Sequence, residues 1–219
     1  MKRNKFFATL FILAIAVGVV HGSKFFFGPK GKVVFDKRIL NRSKGSPDAP
    51  TWIVEYMDYQ CPPCRKMFYI LESYFEEYPS QIYLQVRFHP LKMHTHGLES
   101  AIYSECAMQQ KKFWGFHSLL FENQKEWTDL GTVGDKFHEY AGREGLDLKT
   151  LDKCVGNPVT KETVLKENIE GSKLGVASTP TFFLNGKLIV GSNEMISELK
   201  KLFPNSVAKY KFTEAEHAK

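Results

Sequence analysis

The segment QCPPCRK places Cys61 and Cys64 two residues apart, with two prolines between them. A thiol pair at this spacing can clamp a fold, supply half of a metal site, or be oxidised and reduced reversibly. Two further cysteines, Cys106 and Cys154, lie far along the chain and far from each other. The secondary structure predicted around each pair distinguishes between a structural, a metal-binding and a redox role.

Metal binding is the weaker interpretation of these residues. Zinc sites built from cysteines usually show two short-spaced pairs, and Cys106 and Cys154 are 48 positions apart. The segment HPLKMHTHG (89–97) holds three histidines and a methionine, a set that suits copper. A His-x-His pair in a polar loop is more often solvent-facing than metal-bound. We therefore expect no metal and no bound cofactor.

The residues around Cys61 predict a strand, a turn and a helix. TWIVEYM (51–57) is a compact apolar run that is typical of a buried strand. The two prolines suit the first turn of a helix, and apolar residues then recur every three or four positions as far as Pro79. IYLQVRFH (82–89) alternates like a second strand. The cysteine pair is thus expected between the carboxyl end of a strand and the start of a helix.

The rest of the chain predicts a helical block and a closing hairpin. Residues 99–170 are mostly helical in pattern, with the first long helix broken near Gly115. TPTFFLNGKLIVG (179–191) predicts a β-hairpin whose Asn-Gly dipeptide suits a tight primed turn. SNEMISELKKLF is predicted to follow as a helix capped by Ser192 or Asn193.

The N-terminal part differs from the rest in charge. The chain of 219 residues has a net charge of +6, but residues 1–47 carry ten Lys or Arg and one acid. The remainder therefore sums to −3, and nucleic-acid binding by the folded part is not expected. Basic residues precede the apolar run FFATLFILAIAVGVV (6–20), which is typical of an export signal and also allows an uncleaved membrane anchor.

The strand ending VEYMDYQ, the CPPC pair, the helical block after the second strand and the segment STPTFFLNG together resemble the DsbA-like branch of the thioredoxin superfamily. The resemblance spans residues 51–203. It implies an α/β protein with a thioredoxin fold and a helical insertion between its two halves. It also implies a protein thiol–disulfide oxidoreductase in which Pro180, preceded by Thr179, is a cis proline beside the cysteines.

With this resemblance the chain divides into six parts. These are a signal peptide or N-terminal membrane anchor (1–22), a basic linker with a short strand near 33–35 (23–47), the first half of the thioredoxin domain (48–90), the helical insertion (91–170), the second half (171–204) and a tail (205–219).

The expected redox-active disulfide joins Cys61 and Cys64. A thiolate at the start of a helix faces unpaired amide hydrogens and the positive end of the dipole, which lowers its pKa. We expect Cys61 to be the exposed nucleophile and Cys64 to resolve the mixed disulfide formed with a partner. Thr179 and Pro180 are expected to offer the surface on which a substrate strand pairs.

Glu55 lies inside the apolar strand six residues before Cys61, at a position where the family carries an acid. A buried carboxyl group has a raised pKa, so Glu55 is interpreted as a proton relay to Cys64. The alternative is a solvent-facing glutamate at a sheet edge.

The two prolines mark a departure from strongly oxidising DsbA proteins, which carry a histidine between the cysteines. Proline offers neither a side-chain donor nor an amide hydrogen there. The thiolate must then rely on the Cys64 amide, the helix dipole and the Thr179 hydroxyl. We expect a less oxidising couple, between about −270 and about −120 mV.

Cys106 and Cys154 both fall in the helical insertion, where some members of the family carry a second disulfide. In an oxidising compartment two such cysteines are expected to pair, and two free buried thiols are the alternative.

The expected function is an extracytoplasmic, periplasmic or cell-envelope oxidoreductase that introduces disulfides into exported proteins. Its partners would be exported or unfolded proteins with cysteines and a membrane or soluble redox partner. A disulfide reductase or isomerase of the same fold, and a thioredoxin-fold metal-binding module, are the alternatives.

Overall fold

The computed structural model describes residues 36–207 of the 219-residue chain. The expected signal or anchor segment (1–22), the short strand near 33–35 and residues 208–219 of the tail lie outside the described residues. Within 36–207, no helix is both long enough and apolar enough to cross a membrane.

A five-stranded mixed sheet forms the centre of the fold. Its strands are β1 (Ser43–Gly45), β2 (Thr51–Met57), β3 (Ile82–Phe88), β4 (Thr181–Leu184) and β5 (Lys187–Val190). They lie in the order β1-β3-β2-β4-β5. β2 and β3 are parallel, while β4 pairs antiparallel with both β2 and β5. β2 is therefore the central strand, buried between neighbours on both sides.

The helices occupy the positions that the sequence pattern predicts. Helix α1 (Pro62–Glu77) connects the parallel strands β2 and β3, and α8 (Ser192–Leu202) follows the β4–β5 hairpin. Between β3 and β4 lie α2 (Gly97–Gln109), α3 (Phe113–Glu122), α4 (Gln124–Trp127), α5 (Gly134–Arg143), α6 (Leu148–Val155) and α7 (Pro158–Lys173). This arrangement confirms the predicted class, a thioredoxin fold with a helical insertion.

Two helix boundaries differ from the prediction. The first long helix breaks at Lys111, which has a φ of 61°, and not at Gly115, which lies inside α3. The amides of Lys111 and Lys112 donate to the carbonyls of Met108 and Ala107, the bond pattern of a Schellman helix end. The backbone conformation of Lys111 therefore ends the helix. Gly115 does not break α3, since a glycine inside a helix costs only about 1 kcal/mol.

The cap of α8 is also different. Gly191, with a φ of 83°, precedes the first helical residue, so the expected side-chain caps at Ser192 and Asn193 are wrong. Both residues lie within the helix instead. A glycine accepts this left-handed backbone conformation without the steric cost that a Cβ atom would bring.

Residues 36–47, expected to form part of the basic linker, contain regular structure. Lys37–Arg42 form a 3₁₀ helix and β1 follows directly, pairing antiparallel with β3. The Arg42 side chain is 1% exposed and binds the Glu167 carboxylate at 2.8 and 3.2 Å. The basic composition of this segment suggested a linker, because composition alone does not reveal that the charge of Arg42 is paired inside the domain.

Candidate active site

The cysteine pair lies where the central strand meets the first helix. β2 ends at Met57, Cys61 is the N-cap residue of α1, and the two prolines occupy its first positions. The carbonyl of Cys61 accepts the first helical hydrogen bonds, from the amides of Cys64 (3.1 Å) and Arg65 (3.2 Å). The sulfur of Cys61 therefore sits beside the amino end of α1, where the helix dipole favours negative charge.

Both sulfurs are free thiols in the structure, and both residues are buried. Cys61 is 4% exposed and Cys64 is not exposed at all. The expectation that Cys61 is an exposed residue is therefore wrong. The Cys61 thiol packs against the segment before β4, where it donates to the Thr179 carbonyl oxygen at 3.3 Å.

The two thiols have opposite electrostatic environments. A hydrogen bond from the Cys64 thiol, together with the Thr179 hydroxyl and the Cys64 amide, lowers the pKa of Cys61 to about 7, against the opposing effects of burial and of Asp58. Burial, above all, raises the pKa of Cys64. At neutral pH the thiolate therefore forms at Cys61, and Cys64 holds its proton. This asymmetry is what a nucleophile and its resolving partner need.

Thr179 contacts Cys61 through its carbonyl oxygen, and Pro180 follows it directly in the chain. The Thr179–Pro180 peptide bond is cis, and β4 begins directly after it. The Thr179 hydroxyl oxygen is buried and has no hydrogen-bond partner within residues 36–207. It nevertheless lies close enough to the sulfur to favour the thiolate form of Cys61.

Glu55 is a buried carboxyl group of the central strand. It is 4% exposed, and strand alternation places it on the same sheet face as Ile53 and Met57, which belong to the main core. Burial, and then repulsion from the Cys61 thiolate, raise the pKa of Glu55 to about 8. The alternative of a solvent-facing glutamate at a sheet edge is excluded by this position.

Sequence reasoning missed several residues that hold the active-site turn in place. The Gln124 side chain, from α4, donates to the carbonyls of Tyr59 (2.6 Å) and Cys61 (3.1 Å). Arg65 donates to the carbonyls of Phe121 (2.7 Å) and Glu122 (3.3 Å) at the end of α3. The helical insertion thus hydrogen-bonds to the loop that carries Cys61 and to the first turn of α1. No local sequence pattern predicts these contacts.

Two histidines of the loop between β3 and α2 bond to other parts of the domain, one of them to the turn that carries Cys61. His94 Nδ1 lies 2.8 Å from the Asp58 carboxylate, and His96 Nε2 lies 2.7 Å from the carbonyl of Leu130. Among residues 36–207, no three metal-binding side chains cluster as a metal site would need. These imidazoles make hydrogen bonds within the domain.

Cys106 and Cys154 are joined by a disulfide in the structure, with their sulfurs 2.04 Å apart. Cys106 lies in α2 and Cys154 in α6, so the bond links two helices of the insertion. Cys106 is buried and Cys154 is partly buried.

Comparison with known proteins agrees with this architecture. The family model described as "Thioredoxin" matches residues 39–203. The thiol-disulfide exchange protein alpha-DsbA2 from Wolbachia pipientis superposes with a TM-score of 0.64 at 17% identity, covering 79% of this chain and 90% of that one. BdbD from Bacillus subtilis gives a TM-score of 0.63 at 22% identity, covering 80% of this chain and 100% of that one. The chain therefore belongs to the thioredoxin family, and its fold is DsbA-like.

Two kinds of relative match in sequence. The probable disulfide bond formation protein D of Bacillus cereus is 28% identical over 222 residues, covering 95% of this chain and 100% of the relative. A Na(+)/H(+) antiporter NhaA 1 of Mycobacterium sp. (strain KMS) is 31% identical over 164 residues, covering 73% of this chain. The chain spans about a quarter of the length of that antiporter, 26%, so the likeness concerns one part of it.

Proposed function

We propose that the protein is an extracytoplasmic thiol–disulfide oxidoreductase that introduces disulfides into exported or unfolded proteins through Cys61 and Cys64. The opposite pKa shifts of the two thiols at the start of α1 carry this proposal. The names of similar proteins support it, since the Bacillus cereus relative is called a probable disulfide bond formation protein and the Wolbachia structure a thiol-disulfide exchange protein.

The reaction begins from the Cys61–Cys64 disulfide. A substrate thiolate attacks the Cys61 sulfur, the bond between the two cysteines breaks, and Cys64 leaves as a thiolate that takes up a proton. A second substrate thiolate then attacks the substrate sulfur of the mixed disulfide. The substrate gains a disulfide, Cys61 leaves as a thiolate, and the protein has accepted two electrons. A membrane or soluble redox partner must remove these electrons before the next cycle.

Glu55 supplies the proton chemistry of this cycle. Its carboxyl group is buried on the core face of β2, and when it is ionised its charge opposes ionisation of Cys64. With a pKa of about 8 it holds a proton at neutral pH and can give it to Cys64 as that sulfur leaves. Thr179 and Pro180 provide the extended segment beside Cys61 on which a substrate strand pairs.

The location outside the cytoplasm rests on two features. The apolar run 6–20 follows a basic start, as in an export signal. The disulfide between Cys106 and Cys154 suits an oxidising compartment, because cytosolic thiols are kept reduced.

A trapping experiment tests the proposal. In a Cys64→Ala variant the mixed disulfide cannot be resolved by the enzyme, so covalent complexes with cysteine-containing proteins should accumulate and disappear on reduction. A Cys61→Ala variant is the matched control and should trap nothing. The wild-type protein should oxidise a reduced two-cysteine peptide, and a titration against glutathione gives its potential. A protein that neither oxidises the peptide nor reduces insulin would refute the oxidoreductase function.

The measured potential also decides between donor and reductase. A value near about −120 mV would contradict the expectation drawn from the two prolines, and a value near about −270 mV would favour the reductase alternative. Native mass spectrometry that finds copper or zinc held by Cys61 and Cys64 would favour the metal-binding module.

A further inference from the structure

Asp58 is a buried carboxylate at the entrance to the active-site turn. Its side chain is 0% exposed, and it accepts hydrogen bonds from the amides of Gln60 (2.8 Å) and Leu91 (2.7 Å). The third partner is the His94 ring, whose Nδ1 lies 2.8 Å from Oδ2. The carboxylate thus joins the turn before Cys61 to the loop between β3 and α2.

The packing around this carboxylate is close. A Cβ atom at Gly97, the first residue of α2, would lie 2.8 Å from Asp58 Oδ2. The backbone carbonyl of Asp58 also accepts from the Cys61 amide at 3.1 Å. Asp58 therefore fixes the backbone that carries the nucleophile and places a negative charge near it. That charge opposes ionisation of Cys61 and raises its pKa.

The sequence between the cysteines cannot counter this charge. Prolines have no ionisable side chain and no amide hydrogen, so a positive group for the Cys61 thiolate has to come from outside the motif. His94 is bonded to the same carboxylate that disfavours the thiolate, and its side chain is 19% exposed.

We propose that Asp58 and His94 act as a positioning pair for the redox reaction. The Asp58 carboxylate orients the turn that carries Cys61, and the hydrogen bond that the His94 ring donates to this carboxylate offsets part of its negative charge, so that a larger fraction of Cys61 is thiolate. This inference rests on the proposed oxidoreductase function and names residues that regulate the same site. Within residues 36–207, His89 from the loop also interacts with Asp58, and Glu55 from β2 and Cys64 from α1 interact with Cys61.

The test measures ionisation of Cys61 directly in the full-length chain. The reduced protein is alkylated with iodoacetamide between pH 5 and pH 9, and the rate at the Cys61 peptide is followed by mass spectrometry. His94→Phe keeps a ring but cannot donate to Asp58, whereas His94→Asn keeps a donor. We expect the thiolate fraction of His94→Phe at pH 6 to fall by about two- to threefold, the worth of one weak hydrogen bond, and that of His94→Asn to stay close to the wild type. His138→Asn is the matched control, because His138 pairs with Asp152 on the insertion, and it should titrate like the wild type.

Asp58→Asn should change the titration in the opposite direction, towards more thiolate. Two amide donors lose part of their acceptor in this variant, so its fold is checked by circular dichroism, and His94→Phe stands as the test if it does not fold. A His94→Phe midpoint that equals the wild type, or lies lower, overturns the proposal, and so does a His94→Asn midpoint as raised as that of His94→Phe. The peptide oxidation assay of the wild-type protein is independent of this readout, so failure of the oxidoreductase function and failure of the positioning pair are distinguishable.

Discussion

The sulfur of Cys61 donates a hydrogen bond to the carbonyl oxygen of Thr179 at 3.3 Å, across 118 positions of sequence. The same residue presents its hydroxyl group to the sulfur, and this group favours the thiolate. Thr179 therefore accepts from the thiol through its carbonyl oxygen, and its hydroxyl group, which has no hydrogen-bond partner within residues 36–207, is free to donate once the thiolate forms. One residue, two positions before β4, can thus serve both protonation states of the redox cycle.

The first prediction concerns this hydroxyl group. Replacing Thr179 with valine keeps the shape but removes the donor, so the pKa of Cys61 should rise by about 0.5 to 1, the worth of one hydrogen bond. Thiolate absorbance near 240 nm of the reduced protein, followed against pH, measures the change. Thr179→Ser keeps the hydroxyl and should remain close to the wild type, whereas a serine variant as perturbed as the valine variant would point to packing instead.

Glu55 gives a prediction about both rate and stability. The pKa of Glu55 is raised from 4.5 to about 8 in the folded protein. The protonated carboxyl group therefore makes its full contribution to folding stability below pH 4.5, and this contribution is lost as pH rises through about 8. Glu55→Gln has no such loss and should be more stable than the wild type at pH 9 by about 1 kcal/mol or more, but not at pH 5. Urea unfolding at the two pH values measures this difference.

The same variant should slow substrate oxidation at pH 7 by about tenfold or more, since the proton for Cys64 is missing. Glu194→Gln, at an exposed position of α8, is the control and should change neither property. If Glu55→Gln oxidises the peptide at the wild-type rate, Glu55 has no relay function, whatever its effect on stability.

The local part of this site follows from the sequence, and the non-local part does not. Strand β2, the start of α1 at the prolines and the hairpin at Asn185-Gly186 are set by neighbouring residues, so their patterns predict them. The hydrogen bond from Gln124 to the Cys61 carbonyl joins residues that are 63 positions apart. Because glutamines in helices are usually solvated, the sequence does not predict this contact. Burial of Cys61 depends in the same way on distant segments.

Removal of the second disulfide should destabilise the protein without abolishing its chemistry. The bond closes a loop of about 49 residues, for which chain entropy gives about 4 kcal/mol as an upper figure. The free energy of unfolding of the Cys106→Ala/Cys154→Ala variant should therefore be lower than that of the wild type by about 2 to 4 kcal/mol. The variant should accordingly unfold at a lower urea concentration. Peptide oxidation by Cys61 should persist below the unfolding transition.

Labelling of the unfolded, unreduced wild-type protein provides the control for this disulfide. Cys106 and Cys154 should resist alkylation until a reductant is added. Free reaction of both thiols under these conditions would show that the bond is absent, and the double variant should then match the wild type in stability.

The last prediction tests whether the segment before residue 48 is part of the folded domain. Arg42 is buried against Glu167, lies 3.4 Å from Glu105 and stacks over the Phe88 ring at 4.1 Å. Arg42→Met leaves the Glu167 carboxylate buried without its main partner, which should cost about 3 to 5 kcal/mol in the free energy of unfolding. Arg38→Met is the matched control, because the Arg38 side chain is 70% exposed and its pair with Asp36 is at the surface.

Adding Glu167→Gln to the Arg42→Met variant removes the buried negative charge. The glutamine keeps an oxygen that can accept the hydrogen bond from the Phe88 amide, which Glu167 accepts at 2.9 Å in the wild type. More than half of the lost stability should then return, because the main cost of the single variant is a buried carboxylate that has lost its partner at 2.8 Å and keeps only the more distant Arg87 at 4.0 Å as a cation. Chemical denaturation of the four proteins measures both effects. An Arg42→Met protein as stable as Arg38→Met would mean that residues 36–47 behave as the linker that their composition indicates.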